Sequence, residues 1–449
     1  MVLKKENTTF YKELKSIAVP IALQCAFQSS FSLVDQIMVG QLGSISIAGS
    51  GIAVKYSSLV TVTLSAISTV AAIMIAQYWG NKDEEGMNVS FFSNLYIAIG
   101  IAILFLIPSL GMTKDIMRIY TKDTAIYLAG AKYLWIIALS FVPMAITMVI
   151  SALLRTLEKS KWLLYGSIVA MMLNIVGNYF FIFGNGSCPE MGIEGAALAT
   201  LIARVVEMSL QIGFILVLKK KKQIILKPLV LPSKAFLKKV IIIVLPILAC
   251  EFLWSLGENI YAGIYGRLGR DALAAMTLTS PVQGLLIGLF SGVSVATVVM
   301  VGGRLGKDDY EGAYAVARKL LKIGVIGSLG ISIILLICAR FYGRLFNVTE
   351  EVSQLTCYIL YSFSFVLFAK IANMILGGGI LRSGGNTKLT LIIDIIGTWG
   401  FGIPLGFLAA FIWHLPIYLV YFILSLEELV RLGLSLILFK KRKWMKNIT

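Results

Sequence analysis

The chain has 449 residues, 58% of them hydrophobic and 14% charged, against about 45–50% and about 25% in a typical soluble domain. That balance excludes a water-soluble protein, and at about 20 apolar residues per crossing the length holds roughly a dozen membrane spans. The net charge of +17 would suggest nucleic acid in a soluble protein, but these basic residues sit in short tracts between apolar runs, so no nucleic-acid partner is expected.

The first apolar run follows the charged stretch MVLKKENTTFYKELKS and is too long for a cleaved signal, with no small-residue cleavage site at its end. It reads as the first of twelve membrane helices, at 16–39, 45–79, 90–112, 125–154, 162–184, 193–218, 236–265, 272–302, 320–345, 353–381, 389–412 and 415–439. Several exceed 25 residues and should tilt, bend or protrude; Pro20, Pro143, Pro246, Pro281 and Pro404 mark expected bends. With the N-terminus in the cytoplasm, the tracts on that side hold 28 Lys and Arg and the opposite face holds 7. Both termini are therefore expected in the cytoplasm of a multi-pass cell-membrane protein.

Ionisable groups in hydrocarbon are costly and mark function by default. In the first span, Asp35 shares a helix face with Ser32 and Gln28, at i−3 and i−7. This polar stripe suits the bundle interior, as an ion or substrate contact or as a pin to a neighbouring helix. In the fifth span Asn174 and Asn178 lie one turn apart. With Asp35 they would make an oxygen-rich pocket for a small cation, Na⁺ if the coupling ion is a metal, or for a proton relay; interhelical hydrogen bonding is the alternative. In the seventh span Glu251 and Glu258 are two turns apart with Trp254 between them. Two carboxylates and an indole on one face suit a lipophilic cation, with Glu251 deeper in the span; the alternative for Glu258 is that it meets interfacial water and binds nothing.

Lys370 and Asp394 are the remaining lone charges at depth and are expected to pair between helices, as a structural device or a gate. Arg204 with Glu207, and Glu427 and Glu428 with Arg431, have local partners. Cys25, Cys250, Cys338 and Cys357 fall within spans, where small apolar packing is the default, and no disulfide framework is expected.

The chain also repeats itself. At a constant shift of 226 residues, Pro20 meets Pro246, and Gly40, Leu42, Gly43 and Ala48 meet Gly266, Leu268, Gly269 and Ala274. The match continues through Ser65, Ser68, Met74, Gly80, Asp83, Glu85 and Gly86 onto Ser291, Ser294, Met300, Gly306, Asp309, Glu311 and Gly312. At a shift of 227, Leu154 and Arg155 meet Leu381 and Arg382. Six spans per copy make the copies parallel repeats related by an axis along the membrane normal, a transporter arrangement with a substrate cavity expected between the halves. The expected organisation is an N-terminal lobe at 1–218, a basic cytoplasmic linker at 219–235 and a C-terminal lobe at 236–449 with a basic tail.

No phosphate-binding loop is present, since GGRLGKDD lacks both the earlier glycine and the hydroxyl after Lys307. His414 is the only histidine, which leaves histidine-based zinc clusters and Ser-His-Asp chemistry only as one-ligand variants, and an enzyme is not expected.

The early proline with VDQIMVGQLG, then AQYWGNKDEEG, LRTLEKSK, LNIVGNYFFIFGNG, PEMGIEGAALAT, EFLWSLG, YGRLGRDALAAM, GRLGKDDYEGA and GILRSGGNTK together resemble the multidrug and toxic compound extrusion (MATE) family, within the flippase-like exporter superfamily. The resemblance covers nearly the whole chain. It implies an all-α membrane protein of twelve helices in two pseudo-symmetric six-helix lobes, exporting cationic or amphipathic compounds in exchange for Na⁺ or H⁺. Asp35 matches the family's first-helix acid, Asn174 and Asn178 its fifth-helix polar pair, and Glu251 its seventh-helix acid.

Where some proton-coupled members carry a second fifth-helix aspartate this chain has Asn178, resembling the NorM-type branch in its first lobe. It departs from that branch at Lys370 and Ile371, near the tenth-helix aspartate, and at Asn386, where an aspartate is common. A monomeric, ion-coupled multidrug efflux antiporter without a resident cofactor is expected. The alternatives are a lipid-linked precursor flippase, which should have a cationic cavity, and a non-coupled receptor or channel.

Overall fold

The computed structural model describes the backbone of residues 2–42, 44–184, 188–222, 224, 226–227, 234–342 and 349–447, and their side chains apart from 2–9, 28–37, 40, 44, 235–237, 239, 270 and 273. The described residues form helices and connections without a strand. In chain order these are α1 (Val2–Gly40), α2 (Ser44–Gly80), α3 (Glu84–Gly111), a short α4 (Thr113–Tyr120), α5 (Thr124–Ala138), α6 (Phe141–Thr156), α7 (Ser160–Phe183) and α8 (Ile193–Lys220). The second half of the chain adds α9 (Lys234–Gly266), α10 (Arg270–Leu305), α11 (Tyr310–Tyr342), α12 (Glu350–Asn373), α13 (Thr387–Asp394), α14 (Ile403–Phe407), α15 (Ile417–Ser425) and α16 (Glu427–Lys440). π-Helical stretches at Met374–Leu381, Ile395–Gly402 and Leu408–Ile412 continue the helical path on either side of α13 and α14.

Among the described residues nine helical segments are long and apolar enough to cross a membrane, and α5 with α6 make a tenth span bent by 48°. With α1 and the α15–α16 pair, each expected span falls on a helix or a run of helical segments. The bend before Pro143 and the interrupted path around Pro404 fit proline's missing N–H, whereas α1, α9 and α10 run as continuous helices through Pro20, Pro246 and Pro281.

Packing separates the chain into two compact units, one of Met1–Ile75 with Asp83–Val240, the other of Ala76–Lys82 with Ile241–Thr449. The sequence repeat has local physical causes in both. In the first, Asp83 accepts from the backbone N–H of Gly86 at 2.8 Å and caps α3; in the second, Asp309 accepts from Gly312 at 2.9 Å at the start of α11. Each cap satisfies one of the donors that a helix start leaves open. Likewise the Ser68 hydroxyl donates to the carbonyl of Met148, and that of Ser294 to the carbonyl of Met374, both at 2.8 Å.

These pairs keep the shift of 226, yet Arg155 and Arg382 stand 227 apart. The extra residue enters after Met374, within the π-helical stretch Met374–Leu381, where the first unit has the unbroken α6. A π turn absorbs one residue without rotating the helix beyond it. The glycines there suit close packing on α10: a Cβ on Gly379 would meet the Thr297 side chain at 2.9 Å, while one on Gly377 would meet open space.

The second unit also anchors the C-terminal tail. Trp444 is fully buried, its ring N–H donates to the Phe439 carbonyl at 3.2 Å, and Asn447 donates to Asp308 at 2.9 Å. Hydrogen bonds from Asn447 and then Tyr310 hold the Asp308 carboxyl below the usual carboxylate range.

Deleting Gly377 should restore an α-helical turn and leave Arg382 in place, whereas deleting Ile371 rotates the residues beyond it by about 100°. Monodisperse yield and thermal unfolding of the purified protein check this, with the Gly377 deletion expected to fold and the Ile371 deletion not.

Candidate functional site

The second unit holds a cavity of about 440 Å³ lined from α9, α10, α12, the π stretch after it, α13 and α16. Because α9 turns 100° per residue, Glu251, Trp254 and Glu258 share a face, and all three line this cavity. Opposite them stand Lys370, Arg382, Asp394, Glu428 and Arg431. Arg382 donates to Glu251 at 3.0 Å and to the Cys250 sulfur at 3.2 Å. Arg431 binds Asp394 and lies 3.7 Å from Glu428. Lys370 is 3.7 Å from the other oxygen of Glu428, and Asn373 donates to Glu428 at 2.7 Å. Glu427 accepts from the Tyr261 hydroxyl at 2.5 Å.

Three sequence expectations change here. Lys370 and Asp394 do not pair with each other: α16 presents Glu428 and Arg431 one turn apart, and each takes one of the two charges. Cys250 is not simply apolar packing, since its sulfur contacts both Asp394 and Arg382. Glu251 is a paired carboxylate with the cavity beside it rather than a lone acid. None of the five cysteines is in a disulfide.

The first unit has a cavity of about 450 Å³ between α1, α2, α6, α7 and α8. Its polar lining is mostly neutral, with Gln24, Ser65, Ser68, Ser167, Asn174 and Gln211 around the charged Arg155, Arg204 and Glu207. Gln24 donates to Ser167 at 2.7 Å, Ser167 to Glu207 at 3.0 Å, and Arg204 pairs with Glu207 at 3.1 Å. Asn174 lines the cavity and donates to Thr200 at 3.1 Å, while Asn178 is fully buried one turn further along α7. The side chains of Gln28 and Asp35 lie outside the described residues. The described residues contain no group of three or more His, Cys, Asp or Glu side chains arranged to hold a metal ion.

Sequence reasoning missed Arg155 and Arg382 as cavity groups, although both stood in the repeat match at a shift of 227. The repeat also extends to other cavity positions. Gln24 and Ser167 in the first unit stand where Cys250 and Asp394 stand in the second, and Arg204 stands where Arg431 does.

Two units built on one repeat, each with a polar cavity walled by membrane-spanning helices, define a polytopic membrane transporter. The MatE family model matches residues 20–180 and 246–408, and the chain belongs to that family. It is 26% identical over 450 residues to a Thermotoga maritima protein called "Probable multidrug resistance protein NorM", covering 99% of this chain and 95% of that one. It is also 25% identical over 417 residues to the Bacillus subtilis "Uncharacterized transporter YisQ", covering 90% and 88%. A crystal structure of MATE in complex with MaL6 shares the fold, with a TM-score of 0.88 over 96% of each chain at 19% identity.

Glu251→Gln or Arg382→Gln alone strands a partner inside the second unit and should each lower stability by about 3 kcal/mol, read by thermal unfolding. The double substitution should recover a large part of that loss.

Proposed function

We propose that this transporter is a multidrug efflux antiporter that exports cationic or amphipathic compounds in exchange for Na⁺ or H⁺ by alternating access. The observation that carries the reading is the convergence of Glu251, Trp254 and Glu258 on one cavity inside a membrane span. Negative charge beside an indole face attracts an organic cation through Coulomb and cation–π terms together, and an inorganic cation competes for the same oxygens. Relatives called "Probable multidrug resistance protein NorM" support multidrug efflux.

Asp35, with Asn174 and Asn178, is the proposed coupling-cation site of the first unit. Oxygen ligands of this kind suit Na⁺, and a carboxylate there could carry a proton instead. Cation binding in the outward-facing state would favour discharge of the substrate. Both termini are proposed to face the cytoplasm, and the protein to act as a monomer.

A lipid-linked precursor flippase needs surplus positive charge for pyrophosphate. The cations lining the second cavity are instead engaged by carboxylates, Lys370 and Arg431 with Glu428, Arg431 with Asp394, and Arg382 with Glu251. A channel or receptor would give no gradient-driven uphill flux.

Ethidium flux in proteoliposomes under separately imposed Na⁺ and H⁺ gradients tests the reading. Uphill movement driven by one gradient is the expected result, and movement only down the ethidium gradient would refute coupling. Asp35→Asn should abolish drug resistance in cells at unchanged membrane abundance; full resistance would remove Asp35 from the mechanism.

A further inference from the structure

We infer that the cavity of the first unit contains a carboxylate-binding subsite at Arg155. Arg155 projects from the end of α6 into this cavity. Among the described residues it has no ion-pair partner, and its buried Nε has no hydrogen-bond partner. A buried guanidinium carries five donors and a charge that cannot be lost, so an empty position beside it favours an anion.

The sequence repeat shows why this arginine differs from its counterpart. Arg382 stands at the matching position in the second unit and is neutralised by Glu251 at 3.0 Å. The residue matching Glu251 in the first unit, at a shift of 226, is Cys25, which lies within electrostatic reach of Arg155. The acid that silences one arginine is thus replaced by a thiol beside the other.

Other acids nearby are committed or distant. Glu207 is held by Arg204 at 3.1 Å and by Ser167 at 3.0 Å, and Glu158 accepts from Ser16 at 3.3 Å. Asp35 stands ten residues beyond position 25 on α1, about 15 Å by helical rise. The cavity is large enough for part of an organic solute, and Ser65 and Ser151 add hydroxyls to its lining. The ligand chemistry is therefore a carboxylate, carried by an amphoteric compound or free in solution. In the first case the subsite rests on the transport reading above.

Two rhodamines separate the sources. Rhodamine 110 carries a free carboxylate and rhodamine 123 is its methyl ester, so they differ at the group that Arg155 would bind. In fluorescence anisotropy on the purified protein, Arg155→Gln and Cys25→Glu should each weaken rhodamine 110 about tenfold, the loss of one charge-assisted hydrogen bond, and leave rhodamine 123 within about twofold. For a free anion, sodium acetate should raise the unfolding temperature of the wild-type protein relative to sodium HEPES, and Arg155→Gln should remove that rise. Cys25→Glu keeps the arginine and supplies the partner seen in the second unit, so it reads the charge even where Arg155→Gln fails to fold.

Equal weakening of both dyes with no Arg155-dependent acetate effect would overturn the subsite, and so would no change in either readout. Failure of the wild-type protein to bind rhodamine 123 would count against the transport reading instead, with the acetate measurement still deciding the subsite.

Discussion

A charged side chain inside a membrane protein has no water to fall back on, so every buried ion must find a partner or mark a place where a solute supplies one. The second unit meets this constraint with a network. Arg382 takes Glu251, Arg431 takes Asp394, and Glu428 stands between Arg431 and Lys370. Glu251, Asp394 and Glu428 all line the cavity, so the groups that hold the helices together also form its wall. Removing either partner leaves an uncompensated charge, which ties the stability of this unit to the chemistry of its cavity.

The repeat shows which part of the design is backbone and which is side chain. Features set by helix geometry recur with the same chemistry: the Asp83 and Asp309 caps, and the bonds from Ser68 and Ser294 to carbonyls across the helix pair. Features that face the cavities occupy matching positions with different chemistry. Gln24 bonds Ser167 where Cys250 bonds Asp394, and Arg155 has Cys25 nearby where Arg382 has Glu251. One helical frame therefore carries a largely neutral polar cavity in one unit and a densely charged one in the other. The π-helical stretch at Met374–Leu381 lets the second unit hold one more residue on this frame while Arg382 stays at the matching place.

Helix caps and close approaches also account for other residues that recur. The GNKDEEG and GKDDYEG strings supply the caps of α3 and α11. Gly80 and Gly306 sit where the backbone at Gly303 and Gln77 leaves no room for a Cβ. Recurrence in these cases reports a packing requirement. At Arg155 and Arg382 it reports a shared position whose electrostatic setting has diverged.

The sequence by itself determined the placement of the membrane spans, because hydrocarbon tolerates only long apolar helical runs. It also determined the repeat and the grouping of Glu251, Trp254 and Glu258, because residues three and four apart on one helix share a face whatever surrounds them. Arg204 with Glu207 was legible for the same reason. Partners on different helices were not: Lys370 and Asp394 are lone charges in the sequence, and only the placement of α16 assigns them to Glu428 and Arg431. The pairing of Glu251 with Arg382 spans 131 residues, a separation at which no local periodicity applies, so the choice between a neutralised and an exposed charge belongs to tertiary packing alone.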